Sequence, residues 1–144
     1  MCFAVKYTGK NHEKKTVYSG KDAVVSVINS QGETQLVRWG RDKKEEGKAY
    51  AHHCARLESI ESGKWEHLPP KAVNMSIEEF ADWGADGQVH WHVIPEGHAV
   101  RGALIQDGDT LRAYVVTEPV LPEMAKYSKG GRWPRVSMLL SSPM

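Results

Sequence analysis

Apolar positions in this chain fall in short runs broken by turn-forming residues, and most runs are rich in Val, Ile, Thr and aromatic side chains. That pattern predicts β-strands rather than long helices. Residues 23–28 and 34–39 flank Asn29-Ser30-Gln31-Gly32 and read as a hairpin. A strand over 89–94 is halted by Pro95. Residues 99–105 and 110–117 flank Asp107-Gly108-Asp109, a second hairpin with suitable turn chemistry. A closing strand is predicted over 136–140. Two helices are expected at the periphery. The first covers 76–83, where Ser76 and Glu79 form a capping-box pattern and Ile77, Phe80 and Trp83 share one helical face. The second covers 119–127, with Pro122 near its first turn. Residues 41–48, a mixed-charge stretch from Arg41 to Lys48, read as a solvated loop; a mobile flap over a groove is the alternative.

Composition adds bounds. A chain of 144 residues predicts one domain, 1–144, able to bury a core without staples. Its net charge of +1 advertises no global basic field, so any nucleic-acid surface must be a local patch. Two cysteines, Cys2 and Cys54, do not make a disulfide framework, which points to a reducing cytoplasm. Lys6, Gly9, Lys10, Lys14 and Lys15 break any apolar run of signal-peptide type, and nothing reaches membrane-span length.

The residue with most chemical promise is Cys2. If Met1 is removed, Cys2 presents an α-amine and a thiol two carbons apart, and together these capture an aldehyde as a five-membered ring. The amine titrates near ~8 and the thiol near ~8.5, so both are partly deprotonated at physiological pH. The plain alternative is a small apolar residue opening a buried strand.

Several segments, taken in order, resemble the SOS-response-associated peptidase family. Met1-Cys2 stands at the start, and Val37-Arg38-Trp39-Gly40 is similar to the family's Trp-Gly strand end. Cys54-Ala55-Arg56-Leu57-Glu58-Ser59 is similar to its Asn-Ala-Arg-x-Glu-Thr segment. His92-Val93-Ile94-Pro95 takes the place of a Leu-Ile-Pro strand end, and Gly131-Arg132-Trp133-Pro134 resembles the late Arg-Met-Pro segment. The resemblance implies an α+β, β-rich fold of mixed and antiparallel sheets forming a partly open barrel, with a few short peripheral helices. It also implies a groove for single-stranded DNA and an amino-terminal Cys that traps abasic-site aldehydes as a thiazolidine crosslink, with self-processing peptidase activity. The departures are Phe3-Ala4 in place of Gly-Arg, Cys54 in place of Asn, and Gly130 in place of His. A Phe-Tyr-Glu-Trp segment has no match after Pro95. A compact, phage-type member is the expectation.

The candidate catalytic residues are therefore Cys2, Glu58, Glu96 and His98. Glu96 and His98 lie two apart, on one face if the segment is extended, or else they cap a polar turn. Candidate DNA contacts are Arg38, Trp39, Arg56, Arg132 and Trp133, because a ring beside a guanidinium supplies stacking plus a phosphate contact. Lys126, Lys129, Arg132 and Arg135 make the last region locally basic. Arg56 with Glu58 also reads as an ordinary surface pair. Trp65, Trp83 and Trp91 read as core packing. His90-x-His92 and His52-His53-Cys54 have metal-like spacing, but no zinc signature accompanies them, so no metal or other cofactor is expected. The expected partner is single-stranded or abasic DNA, acting on a monomer without a membrane. Two rival readings stand beside this one: a non-enzymatic DNA- or protein-binding module of the same fold, and an unrelated small β-domain.

Overall fold

The computed structural model describes residues 2–9 and 11–138. Its strands in chain order are β1 (Ala4–Thr8), β2 (Lys14–Tyr18), β3 (Val24–Ile28), β4 (Thr34–Trp39), β5 (Cys54–Arg56), β6 (Lys71–Met75), β7 (Glu79–Trp83), β8 (Val89–Val93), β9 (His98–Asp107), β10 (Thr110–Pro119), β11 (Arg132–Pro134) and β12 (Val136–Met138). One short helix, α1 (Leu57–Glu61), follows β5, and a 3-10 helix covers Pro122–Tyr127. The expected β-rich class holds, with a mixed barrel, an extra sheet and two short helices.

Barrel closure follows from the register. β4, β3, β6, β9 and β10 pair in turn, and β10 returns to β4, so the expected partly open barrel is closed. All of these pairings are antiparallel except β10 with β4. Both predicted hairpins form. In the first, the Asn29 side chain accepts the Gln31 and Glu33 amides at 2.9 Å each, an Asx turn that fixes β3 against β4. In the second, Gly108 takes a φ of 59° between paired Asp107 and Thr110. The closing strand ends at Met138; positions 139 and 140 lie outside the described residues.

Three expectations are corrected. Residues 76–83 do not form a helix: 79–83 are β7, the inner strand of a second sheet ordered β2-β1-β7-β8. Neighbours on both edges satisfy its backbone, and Phe80, Ala81 and Asp82 are all buried, which outweighs the capping-box preference. The second helix is only a 3-10 segment after Leu121, because 117–119 are held in β10 by β11. The loop 41–48 is neither merely solvated nor a free flap. Buried Arg112 donates to the Gly40 and Glu46 carbonyls, and the Asp107 carboxylate accepts the Lys48 and Ala49 amides, so the barrel wall grips the loop along its length.

Alternation along β10 divides the interior. Ala113 and Val115 enter a large apolar cluster with Cys2, Val5, Trp39, Cys54, Met75 and Phe80, which joins the barrel to the four-stranded sheet. Tyr114 and Val116 face a smaller cluster with Trp65, under which Leu57 and Ile60 of α1 pack.

Candidate functional site

β5 is only three residues long, yet it places the site. It pairs with β10 in parallel, Cys54 opposite Val115 and Arg56 opposite Thr117. β11 pairs the same stretch of β10, Pro134 opposite Thr117. Arg56 and the Arg132 strand therefore flank one residue of β10, roughly 10 Å apart at two strand spacings. Upstream of β5, Gly40 ends β4 at a φ of 61°, and a Cβ there would run into the backbone of His52 and His53. That close approach brings the 52–54 segment onto the amino terminus.

Cys2 sits at this junction and is fully buried. Its carbonyl oxygen accepts a hydrogen bond from His53 Nε2 at 2.6 Å and is met by the Cys54 thiol at 3.8 Å. A carbonyl only accepts, so His53 carries its proton on Nε2. Burial pushes the His53 imidazolium down from its ordinary range, against the opposing pull of that bond. The Cys2 thiol is raised well above its ordinary value by burial first, then by the neighbouring Cys54 and Asp82. The Cys54 thiol is pushed up to about 12, again chiefly by burial. Both sulfurs are neutral thiols in this environment.

Two pockets open beside this junction. The larger, about 410 Å³, is lined by Cys54, Arg56, Ser59 and Lys64, with Tyr50 and Trp65 as aromatic walls. The smaller, about 200 Å³, is lined by His53, Trp39, Arg41 and Lys43 among others. His52 borders both. The two residues that touch the Cys2 carbonyl, His53 and Cys54, thus each form part of a solvent-facing wall with cations on it.

Asp82 is the acid that sequence reasoning missed. It is fully buried on β7, where Oδ2 accepts from Ser128 Oγ at 2.9 Å and Oδ1 from the Trp83 amide at 2.8 Å. Its charge acts on Cys2, Cys54 and His92. The only sequence signal is an acid set among apolar neighbours, Phe80-Ala81-Asp82-Trp83. Reading 76–83 as a helix hid it.

The other named residues divide. Arg56 is exposed on the pocket wall beside Cys54. Arg132 is close by but occupied: it donates to both Glu58 oxygens at 2.8 and 2.9 Å, and to the Thr117 hydroxyl and carbonyl. The Arg132 guanidinium holds the Glu58 carboxyl below its usual range, which makes Glu58 a weak proton acceptor. Trp39 is corrected outright as a stacking surface. It is 2% exposed, donates Nε1 to the His53 carbonyl at 2.9 Å, and meets the His53 ring edge-on. It positions His53 instead. Trp133 is covered by Phe80 and by His92, whose ring centroid is 4.5 Å away. Arg38 lies on β4, paired with Asp22 at 2.7 Å.

Glu96 and His98 are not part of the Cys2 site. Val115, opposite Cys54, pairs with Gly102 of β9. His98 stands four residues further along that strand, ~13 Å away on the strand rise alone. Nor do the two carboxylate and imidazole groups meet: Gly97 turns the chain at a φ of 79°, and His98 Nδ1 faces the Glu96 carbonyl at 3.2 Å. His90 is bonded to the Asp86 carboxylate at 2.9 Å. Among the described residues no group of three His, Cys, Asp or Glu side chains is placed to hold a metal ion, and no helix is long and apolar enough to cross a membrane. Trp65 is core, as expected, whereas Trp83 is 47% exposed and Trp91 only half-buried.

No family model matches the chain, and no curated protein or solved structure matches it either.

Proposed function

We propose that this protein belongs with the SOS-response-associated peptidase type and traps the aldehyde of abasic sites in single-stranded DNA through Cys2, once Met1 has been removed by self-processing or by an aminopeptidase. The observation that carries the reading is the Cys2 carbonyl held by His53 at 2.6 Å and backed by Cys54, with Arg56 and Lys64 on the adjoining pocket wall.

In the proposed reaction the free α-amine adds to the ring-opened aldehyde carbon, and the carbinolamine loses water to give an imine. Asp82, the buried carboxylate whose charge acts on Cys2, is the group assigned to relay protons there. The thiol sulfur then adds to the imine carbon, and its proton ends on the ring nitrogen. One aldehyde and one cysteine give one thiazolidine and one water. Arg56 holds a flanking phosphate.

The test is incubation of the purified chain with an abasic single-stranded oligonucleotide, beside an intact-mass measurement. A heat-stable shifted band in protein lacking Met1, lost in Cys2→Ala, is the expected result. A Cys2→Ala variant that crosslinks as well as wild type removes the mechanism.

A second reading, a non-enzymatic DNA- or protein-binding module, is favoured by one observation. Arg132 is committed to Glu58 and Thr117 rather than open to a phosphate. Retained Met1 with intact strand binding and no crosslink selects that reading.

A further inference from the structure

The outer face of the four-stranded sheet carries an aromatic surface that the Cys2 chemistry does not use. The register sets Tyr18, Ala4, Ala81 and Trp91 in one row across all four strands. Strand alternation puts this row on the side opposite Val5 and Phe80, which enter the core. Trp83 lies in the next row on the same face, 47% exposed, and Phe3 stacks on it with centroids 5.6 Å apart and planes 23° from parallel. The two alanines between the rings are fully buried, covered by the larger side chains around them.

Cations stand at this surface without carboxylate partners. Lys6 Nζ lies 4.1 Å from the Trp91 ring centroid. Among the described residues it forms no ion pair, although Glu79 stands opposite it in the register. The Lys129 amide donates to the Trp83 carbonyl at 2.6 Å, which ties exposed Lys129 to the far end of the same face. Partly exposed rings beside cations that form no ion pair match the bases and phosphates of a strand.

We propose that this face is a stacking platform for single-stranded nucleic acid, with bases on the Phe3–Trp83 pair and on Trp91, and phosphates met by Lys6 and Lys129. The platform takes from the reading above only its ligand class. It begins one residue from Cys2, at Phe3, on the side of the sheet opposite the buried thiol.

The experiment is fluorescence anisotropy with a labelled, undamaged oligothymidylate of ~15 nucleotides. Trp83→Ala and Trp91→Ala are each expected to weaken binding roughly 5- to 150-fold, the loss of one stacked base, while Trp83→Phe retains most of the affinity. Lys6→Gln is expected to lower the slope of log affinity against log salt by about 0.7. Melting curves establish that each variant is folded. Oligothymidylate affinity equal to wild type in both Ala variants overturns the platform, and so does sedimentation showing self-association that depends on Trp83 while strand binding does not. Crosslinking to an abasic strand separates the two ideas. Its absence alongside Trp83-dependent binding removes only the Cys2 chemistry, and its presence alongside Trp83-independent binding removes only the platform.

Discussion

Replacing Arg112 by Met tests whether the barrel wall grips the 41–48 loop as the structure describes. Arg112 Nε donates to Asp107 Oδ2 at 3.0 Å, Nη1 to the Gly40 carbonyl at 3.0 Å and to Glu45 Oε2 at 3.3 Å, and Nη2 to the Glu46 carbonyl at 3.1 Å. Both Arg112 and Asp107 are buried. Removing one partner of a buried pair costs about 3–5 kcal/mol, because the charge left behind has lost its compensation. Met fills much of the aliphatic stem, and the carbonyl of exposed Glu46 regains water, although that of buried Gly40 does not. The lower end, about 3 kcal/mol, is therefore expected, a large share of a typical ~5–15 kcal/mol total. In urea, with a slope of ~1–3 kcal/mol/M, the midpoint should fall by roughly 1–3 M at unchanged slope. The pH response has a definite sign. Burial opposes ionisation of Asp107, but the Lys48 and Ala49 amides and Arg112 hold its carboxyl below the ordinary value. Its stabilising contribution is present above ~4 and is lost as pH falls through the folded value. Without the guanidinium that value rises, so the acid limb of the stability curve moves to higher pH in Arg112→Met. Adding Asp107→Asn should then cost less than it does in the wild-type background. A loss under ~1 kcal/mol, or strictly additive effects of the two substitutions, would refute the coupling.

Two further outcomes are expected. The Cys54 thiol, pushed up to about 12 by burial, favours folding while neutral. That contribution is present below its unfolded value of ~8.5 and is lost as pH rises toward the folded one; chemical denaturation between pH ~9 and ~12 should give a shallower alkaline decline in Cys54→Ala, and identical slopes would count against it. Glu58→Gln releases Arg132 from a carboxylate whose side chain is 57% exposed, so stability should drop only slightly. Affinity for single-stranded DNA should rise as Arg132 becomes available, and an unchanged affinity would show that Arg132 does not reach the strand.

How far the sequence foretold the molecule depended on whether local signals were decisive. Asn29 and Gly108 enforce their turns through side-chain acceptance and a left-handed backbone, so both hairpins were legible. The 76–83 stretch was not, because its apolar spacing fits a helix while its actual state is set by β1 and β8, strands remote in sequence. Charges misled in the same way. Arg112 falls in a strand pattern with nothing local to mark it, yet it organises a loop 66 to 72 positions upstream, the separations of its bonds to Glu45, Glu46 and Gly40. Trp39 and Trp133 looked alike beside arginines; only packing buries Trp39 and half-buries Trp133 against Phe80 and His92 while Trp83 is left open.

The buried state of Cys2 bears on the order of events in the proposed chemistry. A desolvated thiol next to Cys54 and Asp82 is held neutral, so a thiolate is not the species that meets the aldehyde first. The α-amine, whose ordinary value is near ~8, has a larger unprotonated share at physiological pH than a thiol raised well above its ordinary value. Imine formation therefore leads, and it creates the acceptor that makes a neutral thiol sufficient: sulfur adds to the imine carbon while its proton moves to nitrogen. On this account Cys54 and His53 serve by position rather than by ionising. They fix the Cys2 carbonyl behind the wall where Cys54 and Arg56 line the larger pocket, while the thiol itself is buried and donates to the Ala4 carbonyl at 3.8 Å.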